Sequence, residues 1–234
     1  LSSGPQTGLR VFQDLDIHSI HATHGSDASG IVHFDGASST LRGVSIHDCS
    51  ITTSAQASGF ISLTNNGAVM TLDGVSVRRN TITAAGNLRG SVFAYAGRIV
   101  ANNVVIAGNS FIGSAANRVV WTYGFAGDTA GSVGVSVVNA DIVGNHAGAN
   151  TQAPLAVAVY APYDLVTSIR NVTAAYNTSD VGTAARAFHV HASASVTYCD
   201  VYGNDPITGT NWGGLADGMG ANGNVAVAGT RLSE

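Results

Sequence analysis

The stretch LDGVSVRRN at residues 72–80 and its counterpart ANNVVIAGN at residues 101–109 contain the pattern that decides the fold. In both stretches the fourth and sixth residues are apolar, and apolar residues at every second position are typical of a strand with one buried face. The third residue is Gly or Asn, and the ninth is Asn. Because these residue types adopt a left-handed backbone conformation at low cost, we predict a bend at each of the two positions.

The same nine-residue phrase returns along most of the chain. Seven copies align: FQDLDIHSI at 12–20, LRGVSIHDC at 41–49, LDGVSVRRN at 72–80, ANNVVIAGN at 101–109, VVNADIVGN at 137–145, IRNVTAAYN at 169–177 and VTYCDVYGN at 196–204. The ends of successive copies lie 27 to 36 residues apart. A second apolar stretch follows each of the first six phrases, such as GFISL at 59–63. Each repeat is therefore predicted to be a strand, a bend, a second strand and a variable loop.

One such repeat could neither bury its apolar face nor satisfy its backbone hydrogen bonds alone. Stacking successive repeats about 4.8 Å apart would hydrogen-bond each strand to the next coil and close a continuous core. The sequence therefore predicts an all-β protein, a parallel β-helix of about seven coils with a C-terminal loop cap. We predict one domain over 1–234, with repeat coils at 12–204 and the cap or tail at 205–234. The alternative is an antiparallel sandwich of short strands, which predicts no equivalent positions in successive repeats.

These phrases resemble the repeats of right-handed parallel β-helix, pectin-lyase-like proteins. The tail, with VTYCDVYGND at 196–205 and WGGLADGMGANGNVAV at 212–227, resembles the last coil of secreted bacterial β-helix repeat proteins, which often carry a C-terminal anchor. The resemblance implies a single-stranded, right-handed solenoid and a secreted or cell-surface location. In that group the tail continues as Gly-Asn-Ile-Ser-x-Asp-Pro-x-Phe, and this sequence departs from the pattern after Val225.

Charged residues are scarce, and their scarcity excludes several kinds of function. The chain has 10 Lys+Arg and 14 Asp+Glu, or 10% of 234 residues, where a soluble domain usually carries about 25%. All ten cations are Arg, and Glu234 is the only glutamate. The formal net charge of −4, without a basic cluster, argues against nucleic-acid binding. No run of 18 apolar residues is present, so we predict no transmembrane segment.

The ninth position of the phrase is its most regular polar feature. It holds Asn80, Asn109, Asn145, Asn177 and Asn204. Amides stacked one rung apart can hydrogen-bond to one another, so we predict a structural asparagine ladder in preference to a polar groove. Cys49 occupies the same position in the second copy, whereas Cys199 has an inward position in the seventh. Five rungs separate the two thiols by roughly 24 Å, too far for a disulfide, so we predict free and buried cysteines.

Five of the eight histidines precede residue 50. The alignment places His18, His47 and Arg78 in one outward column, with Asp16 and Asp48 close by. Converging imidazoles and carboxylates could bind a metal ion, but a neighbouring guanidinium would repel it. We therefore predict solvated surface side chains here, with no metal and no other cofactor.

Rings recur in the second strand of several repeats. If Val92, Val120 and Phe188 point inward, the alternating rings point outward. These are Phe93, Tyr95, Trp121, Tyr123, His189 and His191. Flat rings along one face of a rod can bind sugar rings by apolar stacking, so we predict a glycan-binding row. The alternative is that the same aromatic side chains fill the core.

The pectin-lyase-like resemblance implies particular catalytic sets. Lyases of that kind use clustered Asp for calcium with an Arg or Lys base, and hydrolases use several Asp with Gly-His-Gly. This chain has neither Lys nor Gly-His-Gly, and its outward column of Asp16, Asp141 and Asp200 spreads the carboxylates over several rungs. We can name no catalytic residue from the sequence.

We therefore expect a secreted or cell-surface module with a structural, adhesive or glycan-contacting role and no catalysis of its own. Its expected partner is a polysaccharide or a cell-surface glycan. Two alternatives stay open. One is a polysaccharide lyase or glycoside hydrolase of the pectin-lyase-like fold. The other is a structural subunit that self-associates end to end, because each end of a β-helix is an open sheet edge unless it is capped.

Overall fold

The computed structural model consists of short parallel strands that are stacked in successive coils. It describes residues 2–3, 9–64, 67–86, 88–113, 121–127, 134–148, 156–161, 166–179, 185–204, 212–213 and 225–227. Only the backbone is described at 2–3, 121–123, 156–157, 185–186, 212–213 and 225–227. This part of the chain is all-β and contains no helix, and so it has no helix that could span a membrane.

Three parallel sheets, which we call A, B and C, form the sides of the solenoid. Sheet A holds eight strands: Ser2–Ser3, Val32–Asp35, Ile61–Thr64, Val92–Tyr95, Trp121–Gly127, Ala156–Ala161, Ala185–Val190 and Trp212–Gly213. Sheet C holds six: His21–His24, Ser50–Thr53, Thr81–Ala84, Ser110–Gly113, His146–Ala147 and Thr178–Ser179.

Sheet B contains the nine-residue phrase. Its twelve strands are Arg10–Gln13, Asp16–His18, Ser39–Arg42, Ser45–His47, Val69–Asp73, Ser76–Arg78, Arg98–Ala107, Gly134–Val143, Ser168–Ala175, Ser195–Thr197, Asp200–Tyr202 and Val225–Val227. In the first three coils a bend divides the phrase into two strands, and in the next three the strand is continuous across the bend.

The chain passes from sheet A to sheet B to sheet C and then enters the next coil. Every strand pairing in the described residues is parallel, for example Val32–Asp35 with Ile61–Thr64 one coil later. The predicted parallel β-helix is therefore confirmed. The coil count differs slightly from seven, because sheets A and C contain eight and six strands. The strands Trp212–Gly213 and Val225–Val227 pair with preceding coils and lie within the segment that we predicted as a cap.

A continuous apolar core runs along the axis of the solenoid. Ile46, Val77 and Ile106 stack in register on successive coils of sheet B, and each is 0% exposed. Phe60 and Phe111 add aromatic contact across the core, with ring centroids 6.0 Å apart. Alternate residues of each strand face this core, so the period-2 pattern in the sequence corresponds to the buried face of each strand.

Two columns of left-handed residues form the bends of sheet B. The first is the third position of the phrase and contains Asp14, Gly43, Gly74, Asn103, Asn139, Asn171 and Tyr198, with φ from 53° to 63°. The second contains Ser19, Asp48, Arg79, Gly108, Gly144, Tyr176 and Gly203, with φ from 51° to 64°. The first bend was predicted correctly. The second bend is at the eighth position, and our prediction of the ninth was wrong because the ninth residue turns its side chain inward.

The inward asparagines form a continuous hydrogen-bonded ladder at the corner between sheets B and C. Each of the five is at most 4% exposed. The Nδ2 of Asn109 donates to Val77 O at 2.9 Å and to Asn145 Oδ1 at 3.0 Å, and its backbone N–H also donates to Asn145 Oδ1. The same set of three bonds recurs at Asn80, Asn145 and Asn177. The amides thus satisfy buried backbone groups that no strand ladder reaches.

The two cysteines are free and buried, as predicted. Cys49 starts the ladder, because its backbone N–H donates to Asn80 Oδ1 at 2.9 Å. Its thiol donates to His47 O at 3.2 Å. Burial raises the pKa of the Cys199 thiol to about 11, so this group stays protonated and unreactive at neutral pH.

Candidate functional site

The predicted glycan-binding row lies mainly on sheet A, but not all of its predicted residues are exposed there. Phe93 points away from the core as expected, but it is only 2% exposed. The guanidinium of Arg89 lies 5.0 Å from the centroid of the Phe93 ring. A ring with so little exposed surface cannot offer a face to a sugar, so the prediction is wrong for Phe93. Tyr95 is 46% exposed and does present its ring to solvent.

A register shift separates the other predicted members of the row. Phe93 pairs with Ala126, five residues after Trp121, so Phe93 and Trp121 do not share a column. The pairing of this strand with the next one also shifts register between Thr122 and Phe125. Trp121 and Tyr123 belong to a strand, but their side chains lie outside the described residues. The extra residues of this strand could not be inferred from a repeat that was aligned on sheet B.

The C-terminal part of the row contains a stacked pair. His189 lies against Tyr160 of the preceding coil, with ring centroids 5.3 Å apart and planes 16° from parallel. His191 follows the end of its strand, and its Nδ1 lies 2.9 Å from Ser193 Oγ. Tyr160 was not predicted, although it occupies the column of His189. Sheet A therefore offers Tyr95 and the Tyr160–His189 pair at separate places, and not one uninterrupted row.

A second candidate is a group of charged side chains at the bend between sheets B and C, which we call the His47 network. It comprises Asp16, His47, Asp48 and Arg79, with Asp16 one coil before His47 and Arg79 one coil after. His47 Nδ1 lies 2.7 Å from Asp48 Oδ2, and His47 Nε2 lies 2.9 Å from Asp16 Oδ1. Arg79 donates two hydrogen bonds to Asp48, at 2.9 and 2.8 Å. The network thus connects three successive coils.

The contacts of this network shift the pKa values of His47, Asp48 and Arg79. The hydrogen bond to Asp48, with further contributions from Asp16, raises the pKa of His47 above its ordinary value. Hydrogen bonds from Arg79 and His47 hold the pKa of Asp48 well below its usual range. Both ring nitrogens of His47 face a carboxylate oxygen, and both can donate at once only in the imidazolium, so these contacts favour the charged form. The network therefore acts as a brace between coils.

The alignment predicted the positions of these residues correctly but not all of their contacts. His18, His47 and Arg78 do occupy one column of sheet B, and the ring of His18 stacks on His47 with centroids 5.4 Å apart. We expected solvated side chains, and the structure instead has a hydrogen-bonded set. The described residues include no group of three or more His, Cys, Asp or Glu that could hold a metal ion.

The same end of the solenoid has a cleft of about 280 Å³. It is lined by Asp16, Ile17, His18, Ile20 and Ile31. Ile20 is 41% exposed, and the neighbouring Val11 and Leu9 are 52% and 70% exposed. The first coil thus leaves apolar side chains at the end of the rod, beside the His47 network.

A third candidate lies on the outer surface of sheet B. Three exposed asparagines at the first bend form a row along the axis, which we call the amide row: Asn103, Asn139 and Asn171. Asn171 Nδ2 donates to Asn139 Oδ1 at 2.7 Å, and Asn139 Nδ2 reaches Asn103 Oδ1 at 3.4 Å. Each amide retains further donor or acceptor capacity toward solvent.

The amide row leads into a group of aromatic side chains that we call the tyrosine surface, formed by Arg170, Tyr176, Tyr198, Asp200 and Tyr202. Tyr198 and Tyr176 are 59% and 48% exposed. The Arg170 guanidinium lies 5.6 Å from the centroid of Tyr198, and Tyr202 meets Tyr176 edge to face at 5.2 Å. Sequence reasoning missed these tyrosines. Tyr198 stands at the first bend, where five of the six other repeats have Gly or Asn, and Tyr176 stands at the second bend, where three of the six have Gly.

No protein-family model matches the sequence, and a search of curated proteins gave no match. Among solved structures, the chain is similar to that of QnrB1, described as a plasmid-mediated fluoroquinolone resistance protein. The two are 9% identical, the match covers 94% of this chain and 93% of that one, and the TM-score is 0.26. A likeness at this level carries no argument about function.

Proposed function

We propose that the protein is a secreted or cell-surface β-helix module that contacts a glycan and performs no catalysis of its own. The observation that carries this proposal is the amide row, in which side-chain amides repeat on successive coils of a rigid solenoid. A polysaccharide is also a repeating chain, and its hydroxyl groups can both donate hydrogen bonds to amides and accept them. The resemblance of the tail to secreted β-helix repeat proteins supports the location.

Three of the described ionisable groups with shifted pKa values, those of the His47 network, are consistent with a structural role. His47, Asp48 and Arg79 are engaged with one another between coils. A general base would need a pKa near the working pH and a free lone pair, and the contacts of His47 favour the imidazolium. The scaffold thus uses these charges to hold its coils together.

The proposal is tested by incubating the protein with neutral and acidic polysaccharides, including cellulose, chitin, xylan, polygalacturonate and alginate. Sedimentation with insoluble polymers and affinity electrophoresis with soluble ones measure retention. Absorbance of unsaturated products and assays of reducing ends measure cleavage. We expect retention without products. Products would overturn the non-catalytic role, and the absence of retention on every polymer would overturn the glycan role.

End-to-end assembly is a second candidate that one observation favours. Leu9, Val11 and Ile20 expose apolar surface on the first coil, where a further coil of a second copy could pack. Sedimentation velocity over a hundredfold range of concentration tests it. Growth in mass with concentration would support assembly, and a constant monomer mass would exclude it.

A further inference from the structure

Two tyrosines occupy backbone positions that are unfavourable for them. Tyr176 and Tyr198 have φ values of 54° and 53°, in the left-handed region. Bulky side chains are rare there because the Cβ atom crowds the backbone, and such strain persists at sites where the side chain has a function. The equivalent residues one coil away are Gly203 and Asn171, which tolerate this conformation. The two coils therefore accept local strain to place a ring at each bend.

The surroundings of both rings hold them in place while leaving them accessible. Tyr198 is 59% exposed and is supported by the guanidinium of Arg170 at 5.6 Å. Tyr176 is 48% exposed, and Tyr202 supports it edge to face. A Cβ added to Gly203 would lie 2.6 Å from Tyr176 Cδ1, so this glycine leaves the space that the ring occupies. Rings that are fixed before binding lose little conformational entropy on contact with a ligand.

The polar groups between the rings indicate the chemistry of the ligand. Tyr198 stands at the first bend, and Asp200 and Tyr202 follow it at alternate positions of the next strand, so an exposed carboxylate lies between two phenol rings along the chain. Asp141 is exposed two rungs away in the column of Asp200. Carboxylates accept hydrogen bonds from hydroxyl groups and repel anions, and the chain has a net charge of −4. The surface has two carboxylates, Asp141 and Asp200, against one guanidinium, Arg170, so it favours an uncharged polyol over uronate or sulfate polymers.

The rings and the polar groups described above lie together along sheet B and its bends. We propose that the tyrosine surface, continued by the amide row, binds a neutral polysaccharide by stacking sugar rings on Tyr176 and Tyr198. Asp200 and Asn171 accept and donate hydrogen bonds at the edges of the sugars. The proposal rests on the glycan-binding function proposed above, and it names the surface and the class of polymer. Aromatic rings offer an apolar face to the C–H side of a sugar, while amides and carboxylates serve its hydroxyls.

The test replaces the two tyrosines with the residues that the repeat uses at the same bends. We compare the wild type with Y176G/Y198N and, as a matched control, with Y95A, which removes an exposed tyrosine from sheet A. Retention is measured on the neutral polymer that binds the wild type best and on polygalacturonate. We expect at least tenfold weaker retention for Y176G/Y198N and less than a twofold change for Y95A. We also expect the double variant to have a melting temperature at least as high as the wild type, because backbone strain is relieved.

The outcomes separate this inference from the function on which it rests. Loss of retention in Y95A alone would overturn the tyrosine surface and leave a glycan module that binds through sheet A. A wild type that binds only polygalacturonate would overturn the neutral class, and a wild type that binds no polymer would overturn the glycan function itself. If Y176G/Y198N loses its melting transition together with retention, it has not folded, and Y176F/Y198F is then used as the second test. Retention of binding by this folded variant supports stacking, and a tenfold loss overturns it.

Discussion

At the scale of single residues, His47 shows how this protein uses its few charges. Its imidazole bridges the carboxylates of Asp16 and Asp48, and Asp48 is held in turn by Arg79. The chain has only ten cationic side chains, all of them Arg, and Arg42 and Arg79 both form ion pairs with Asp residues of a neighbouring coil. Because these groups lie near the surface, each pair contributes modestly and depends on pH and salt.

The His47 network predicts that the free energy of unfolding depends on pH through the protonation of His47. Its pKa is raised in the folded protein, so its stabilising effect is fully present below the ordinary histidine pKa, near 6.5, and is lost as the pH rises through the folded value. We expect the wild type to exceed H47Q in unfolding free energy by more at pH 5.5 than at pH 8.5. Urea unfolding at both values measures this difference. Equal differences at the two pH values would show that His47 is not coupled to its carboxylates.

At the scale of elements, the asparagine ladder closes the corner that follows sheet B. Asn145 Oδ1 accepts the backbone N–H and the Nδ2 of Asn109, and Asn145 Nδ2 donates to Ile106 O. N145A would leave buried polar groups of two neighbouring coils without partners, and each such group costs about 1–3 kcal/mol. We therefore expect a loss of about 3 kcal/mol or more in unfolding free energy.

A matched control for the ladder is N102A, the same substitution on the outer face of sheet B. Asn102 accepts one long bond from Asn139, at 3.3 Å, and it is partly exposed. We expect N102A to change stability by no more than about 0.5 kcal/mol. Chemical denaturation of both variants decides between a ladder that is structural and one that is dispensable. A similar small effect for N145A would contradict the structural role.

A second prediction at this scale concerns the glycines that precede the strands of sheet A. Gly59 has φ of 148°, and a Cβ there would lie 2.4 Å from the carbonyl oxygen of Gly90 on the next coil. G59A should therefore destabilise the protein by more than about 2 kcal/mol, because the coils would have to separate. Gly25 has no atom within 4 Å of a Cβ, so G25A is the control. Thermal melting of both variants measures the contrast, and equal melting temperatures would refute it.

The strands and the first bend of sheet B could be predicted from the sequence. The alternating apolar residues of the phrase indicate a strand, and Gly or Asn at its third position indicates a left-handed bend. The predicted column of Asp16, Asp141 and Asp200 is the register that the strands adopt. The exact residue of the second bend was missed by one position, because Asn is favoured both in bends and as a buried ladder amide. Burial of Phe93 could not be predicted, since it depends on Arg89 from a variable loop that has no repeat pattern.

At the scale of the whole molecule, stacking makes each coil depend on its neighbours. A solenoid is stabilised by interfaces between adjacent repeats, so an inner coil has two interfaces where an end coil has one. Sequence periodicity predicted this architecture, but it did not predict how the ends differ from the middle. In the described part of the chain, Arg10–Gln13 pairs on one side only, whereas Arg98–Ala107 pairs on both. Phe12, Leu15 and Ile17 are accordingly only partly buried against the core.

This difference predicts a gradient of hydrogen exchange along the rod. Amides of the first coil, at 10–24, should exchange at least tenfold faster than those of the central coil, at 98–113, because opening an end breaks one interface and opening the middle breaks two. Hydrogen–deuterium exchange with mass spectrometry measures both segments in the intact chain. Uniform exchange would indicate a single cooperative unit. Repeating the measurement at high concentration tests end-to-end assembly, because packing of a second copy on Val11 and Ile20 would slow exchange in the first coil selectively.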